Sequence, residues 1–219
     1  MKIRIHLKIF VFIAIFIATR QIEIYGILML FATLHELGHM LTGILLGFKP
    51  NTIEILPVGL SIGFEVKVDD YNKKIKRGTM LTLKKLIIAL GGPITNLIFI
   101  LIYSIFDISF LGINRILVLY SNILLMIFNL IPIYPLDGGR IIKGVLHIFL
   151  GKNKACRYVN SVSKICICII TATSSIAILY LKNISILLIL AYLWYLVIRE
   201  NKYLKNKEKL YNRIEQNKY

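Results

Sequence analysis

Residues 86–106 contain no charged side chain. An uncharged, mainly apolar run of that length matches what a helix needs to cross a bilayer, about 20 residues. The pattern recurs along the chain. Residues 24–47, 116–136, 165–181 and 184–198 are further apolar runs, the last two joined by a tight Lys-Asn connection. Residues 9–19 form a shorter run that reaches spanning length if Lys8 and Arg20 snorkel to the two interfaces. It reads as a retained span, because no small-x-small cleavage pattern of a signal peptide follows it. With 57% apolar and 17% charged residues, the soluble, disordered and collagen-like classes are excluded. The expected fold class is an all-α membrane protein with about six transmembrane helices. Residues 1–198 would form the spanning domain and residues 199–219 a basic cytoplasmic tail.

The net charge of +16 would ordinarily invite a nucleic-acid partner. Its placement argues otherwise. Of the 27 lysines and arginines, 24 fall on one side of a six-span layout, leaving Arg20, Arg115 and Lys182 on the other. The positive-inside rule then puts both termini in the cytoplasm. The basic loops suit anionic lipid headgroups, and no nucleic acid is expected. Cys156, Cys166 and Cys168 make neither a disulfide framework nor a CxxC metal pattern.

The second run is interrupted by His35, Glu36 and His39, in the pattern H-E-x-x-H. Residues four apart share one helix face. Two imidazoles so placed can hold one zinc ion, with the glutamate between them placed to act on water there. Three ionisable groups inside a span are costly unless they have a ligand or partner. A catalytic zinc site usually takes a third protein ligand. His6 and His147 lie in basic interfacial stretches and are poor candidates. Asp137 is better placed, in the block Asn129-Leu130-Ile131-Pro132-Ile133-Tyr134-Pro135-Leu136-Asp137-Gly138-Gly139. Its two prolines disrupt the helix and its glycines allow close backbone approach. Broken helices at membrane depth line polar cavities. The plainer reading of Asp137 is an N-cap or turn residue.

Three motifs in this order, the HELGH of residues 35–39, Gly92-Pro93-Ile94-Thr95-Asn96 and the 129–139 block, resemble the site-2 proteases, intramembrane zinc metalloproteases. The resemblance covers roughly residues 1–200. Within that family the chain looks most like the subgroup of stage IV sporulation protein FB, which processes the sigma-factor precursor pro-sigma-K. The shared features are the short first span, the LPIYPLDGG-like block and two closing spans with Cys166-Ile-Cys168. The resemblance implies that His35, His39 and Asp137 hold Zn2+ and that Glu36 is the general base and acid. It offers Asn96 and Asn129 as substrate-backbone contacts, although an asparagine in a span can equally bond a neighbouring helix. It implies a membrane-associated protein substrate and companion membrane proteins that hold the enzyme inactive. There is no room for the PDZ insertion of some relatives. The chain ends soon after the sixth span, so a nucleotide-sensing CBS module is not expected.

Residues 52–68 read as strand, turn and strand, with Pro57-Val58-Gly59 at the turn and Ile62, Phe64, Val66 and Val68 on one face. Such a membrane-associated hairpin after the second span has an open edge to which substrate can add a strand. Otherwise it caps the zinc cavity. Gly43 and Gly47 form a GxxxG pair, expected to permit close helix packing. The alternative function is a zinc transporter or metal-binding channel. A catalytically dead scaffold is a third reading, against which all four core residues are present.

Overall fold

The computed structural model describes residues 2–5, 8–18, 20, 22–56, 59–65, 76–106, 114–181, 187, 190–203 and 206. His6, Val58, Val66, Val68 and most of the tail beyond 203 lie outside the described residues. The chain divides into two compact units, residues 1–129 and 130–219.

In the first unit the order is β1 (Lys2–Ile5), α1 (Lys8–Ala18), α2 (Ile22–Leu45), β2 (Lys49–Leu56), β3 (Gly59–Glu65), α3 (Lys76–Ile105) and α4 (Arg115–Leu130). Helix α2, at 24 residues, is about 36 Å long at 1.5 Å per residue, enough to cross a bilayer core of about 30 Å. Two segments here are long and apolar enough to span, Ile22–Leu45 and Met80–Ile105, and Arg115–Leu130 is a shorter apolar helix. Leu41, Ile44, Ile94, Leu97, Ile98 and Leu101 are exposed on these helices, while His35, His39, Asn96, Ser121 and Asn122 are buried. Apolar outside and polar inside is the arrangement that lipid selects.

Helices α2 and α3 meet at Gly38 and Gly91. A Cβ on either glycine would lie 2.8 Å from the other's carbonyl oxygen. Small residues let helix backbones approach this closely in lipid, where packing replaces the hydrophobic drive. Thr42 and Thr95 flank the crossing, their hydroxyls turned back onto the Gly38 and Gly91 carbonyls at 2.7 and 2.9 Å. One turn and more below lies the apolar centre of the unit, Phe31, Ala32, Tyr103, Val118 and Leu125. Phe31 meets Phe99 edge to face at 5.7 Å.

Gly43 and Gly47 do different work from the helix packing expected of a GxxxG pair. A Cβ at Gly43 would collide with the Phe64 ring, so this glycine seats β3 on α2. Gly47 has φ +86° just past the helix end, the left-handed geometry of a C-terminal cap. The Lys84 ammonium also donates to the Leu46 carbonyl at 3.2 Å.

The hairpin is present, with Ile53 opposite Ile62 and Ile55 opposite Leu60. It has a third member. Strand β1 pairs parallel with β2, Ile3 opposite Ile53, giving the order β1-β2-β3. The free edge of β2 is therefore taken by the chain's own N-terminal strand, and β3 ends the sheet.

In the second unit α5 (Asp137–Leu150) leads through Gly151 to α6 (Lys152–Leu181). Helix α6 begins well before the expected span at 165. Ala155, Val159, Ser163 and Ile167 are buried at a four-residue spacing, so the basic stretch before the span already presents one packed face. The window Lys154–Ser175 is a third candidate span. Helical residues 190–203 pack on α6 through Asn160 to Asn201 at 3.0 Å and Trp194 to Thr171 at 3.0 Å.

Candidate metal centre

On α2 the four-residue spacing puts His35 and His39 one above the other on the buried face, 4% and 3% exposed. Their Nε2 atoms converge to 3.2 Å, with the rings edge to face. The tautomer of His39 turns on its other nitrogen. Its Nδ1 lies 2.7 Å from the Ile88 carbonyl oxygen, which can only accept, and 3.1 Å from the Gly92 backbone N–H, which can only donate; in the tautomer that donates to Ile88, the closer of the two, Nε2 presents a lone pair. A ligand histidine is typically held this way, its outer N–H fixed by a carbonyl or carboxylate.

The floor under the two nitrogens is Gly92 of α3. A Cβ there would collide with both Nε2 atoms. Pro93 follows inside the same helix and has no N–H to satisfy. Two buried nitrogens converging over a position that admits no side chain fit a metal ion. This is an observation on the donors themselves, independent of the motif.

Glu36 points from the neighbouring face. Its Oε2 is 3.6 Å from His39 Nε2. Its Oε1 accepts from the Ile62 backbone N–H of β3 at 3.3 Å. The carboxylate thus stands between the histidine pair and the last strand of the sheet. Nothing in the sequence signals the Ile62 contact, because a backbone donor carries no side-chain signature.

Asn96 lies one turn beyond Gly92 on α3. It is fully buried, and neither Oδ1 nor Nδ2 has a hydrogen-bond partner among the described residues. The helix-packing reading of Asn96 needs such a partner. Asn122 of α4, absent from the sequence reading, is also buried. Its Nδ2 donates to the Val118 carbonyl at 2.9 Å, while its Oδ1 has no partner among the described residues. Asn129 is half-buried in the last turn of α4.

In the second unit Asp137 is the first residue of α5 and 4% exposed. The N-cap position is Leu136, without a side-chain cap, so Asp137 is not the N-cap of the plainer reading. The helix dipole favours a carboxylate here, and Arg140 Nη1 lies 3.6 Å from its Oδ1. Gly138 and Gly139 pack directly on the backbone of residues 130–134, where a Cβ on either would collide.

Comparison with known proteins agrees with this picture. Residues 105–173 match Peptidase family M50. A zinc metalloprotease of Methanocaldococcus jannaschii is 30% identical over 149 residues, 64% of this chain and 39% of that protein. Stage IV sporulation protein FB of Bacillus subtilis is 23% identical over 172 residues, 78% of this chain and 56% of that protein. The chain therefore spans well under two thirds of either relative's length. Among solved structures, the site-2 protease from Methanocaldococcus jannaschii shares the fold, with a TM-score of 0.63 at 24% identity, covering 90% of this chain and 89% of that one. The resemblance drawn from the three motifs is borne out.

Proposed function

We propose that this chain, a peptidase family M50 segment within a site-2 protease fold, is a zinc-dependent intramembrane endopeptidase. The observation that carries the reading is the convergence of His35 and His39 Nε2 over Gly92, with the Glu36 carboxylate alongside.

His35, His39 and Asp137 would hold the ion. When bound, zinc acidifies water and polarises the scissile carbonyl. Glu36, its carboxylate 3.6 Å from His39 Nε2, would serve as the base that accepts a proton from the attacking water and as the acid that gives it to the leaving amine. The Ile62 N–H holds the carboxylate from its other side. The Ile88 carbonyl is placed to accept from His39 Nδ1, which leaves Nε2 for the metal. Asn96 supplies buried donors and an acceptor that gain partners when a substrate backbone enters, and Asn129 is a second such contact.

A peptide bond within a helix is shielded by its own hydrogen bonds, so the substrate is extended at the site. It adds as a strand at β3. Two features support that edge over β2. Strand β1 already occupies β2, and β3 carries the Ile62 N–H that reaches Glu36.

Six spans cross the membrane in residues 1–198, both termini are cytoplasmic, and residues 199–219 form a basic tail against anionic lipid. The substrate is a membrane-associated sigma-factor precursor of the pro-sigma-K kind, and companion membrane proteins restrain the enzyme. The zinc-transporter reading is weaker. A conduction path needs weak sites repeated along its length, whereas α2 gathers its histidines at one level. The test is reconstitution in liposomes with a tagged pro-sigma-K-like substrate. Cleavage that stops with a zinc chelator and returns with zinc supports the protease. Zinc flux without cleavage would support the transporter.

A further inference from the structure

We infer that Ser163 of α6 is a positioning residue for Asp137. The inference rests on the reading of Asp137 as a zinc ligand, but its observations are separate and lie wholly within the second unit.

The connection from α4 to α5, residues 131–136, contains Pro132 and Pro135, which have no backbone donor. Two of the remaining donors are spent inside the connection, Ile133 N–H on the Ile131 carbonyl at 2.7 Å and Leu136 N–H on the Ile133 carbonyl at 2.8 Å. The Tyr134 N–H points outward instead and donates to Ser163 Oγ at 3.0 Å. Ser163 is 2% exposed. Its own hydrogen is committed to the Val159 carbonyl one turn back, at 2.8 Å. With the proton fixed there, an oxygen lone pair faces Tyr134. The serine is thus an oriented acceptor, and α6 anchors the connection through it.

Three residues later the chain reaches Asp137. Little slack separates the two points. Gly138 and Gly139 press on the carbonyls and amide of residues 130–134, leaving no space for even a Cβ. Lys143 of α5 places its ammonium 3.8 Å from the centre of the Tyr134 ring. A shift at Tyr134 therefore passes into the first turn of α5. Without the hydroxyl, the half-buried Tyr134 N–H loses the acceptor that α6 supplies, and the connection moves to satisfy it. Metal ligands tolerate displacements of only about 0.2 Å, and losing an outer-shell partner typically costs about 10–100-fold in metal affinity.

The experiment compares two variants of equal shape in the full chain, purified in detergent. Ser163→Thr keeps the hydroxyl and Ser163→Val removes it. Zinc affinity is read by competition with a chromophoric chelator. Thr173, an exposed α6 hydroxyl that bonds back to its own helix, supplies the control Thr173→Val. The expected result is a loss of about tenfold or more for Ser163→Val, with Ser163→Thr and Thr173→Val at the wild-type value. If Ser163→Val fails to accumulate, Ser163→Cys replaces it with the same expectation, because a thiol is a weak acceptor. Equal affinities for Ser163→Val and wild type would overturn the inference, as would equal losses in Ser163→Thr and Ser163→Val. Asp137→Ala is measured in parallel. Wild-type affinity there would overturn the reading of Asp137 and this inference with it. Loss of zinc in Asp137→Ala beside full affinity in Ser163→Val would overturn the inference alone.

Discussion

Gly92 lies directly under the imidazoles of His35 and His39, and a Cβ at that position would strike the Nε2 atom of each. Position 92 thus admits no side chain beside the two nitrogens that would hold a metal. Gly92→Ala is therefore expected to cost zinc affinity out of proportion to stability. Overpacking by one methyl costs about 1–3 kcal/mol, so the protein should still fold. Zinc content of purified Gly92→Ala, measured beside thermal unfolding, checks this. Full zinc occupancy would mean that the floor is not needed.

Asn96 offers a test of opposite sign. A buried amide with no partner costs about 1–3 kcal/mol, and among the described residues neither of its polar atoms has one. Asn96→Leu should leave the thermal midpoint unchanged or raise it, while kcat/KM for a membrane substrate falls. A lowered midpoint with unchanged cleavage would assign Asn96 to packing.

The contact between Gly43 and Phe64 predicts a compensating pair. Gly43→Ala pushes the Phe64 ring away and loosens β3 from α2, by about 1–3 kcal/mol. Adding Phe64→Leu should recover part of that loss, because residues in contact are not additive. Limited proteolysis within residues 59–65 reads the loosening. Additive effects would place the ring elsewhere.

Proline at the β3 edge probes substrate pairing. Ile62→Pro removes the N–H that reaches Glu36, and Phe64→Pro alters the same edge. Cleavage should fall while zinc content holds. Unchanged cleavage in Ile62→Pro, Phe64→Pro, Val66→Pro and Val68→Pro alike would rule out edge addition.

Much of the centre was legible in the sequence because it depends on local spacing. His35 and His39 had to share a face once residues 24–47 were read as a helix. The two prolines before Asp137 had to end α4, and it ends at Leu130. Features that depend on which distant element arrives were hidden. Gly38 and Gly91, not Gly43 and Gly47, make the close helix crossing, and only the pairing of α2 with α3 reveals it. Strand β1 is four residues in a basic tail, and its Ile3 and Ile5 alternation is too short to distinguish from chance. The long α6 was missed because its first turns are amphipathic instead of apolar.

The central claim is that Glu36 moves protons beside an ion it does not hold. The direct measurement is zinc stoichiometry and cleavage of a co-expressed pro-sigma-K-like substrate, wild type beside Glu36→Gln. The account predicts wild-type zinc and no cleavage in Glu36→Gln. Cleavage at the wild-type rate would contradict it.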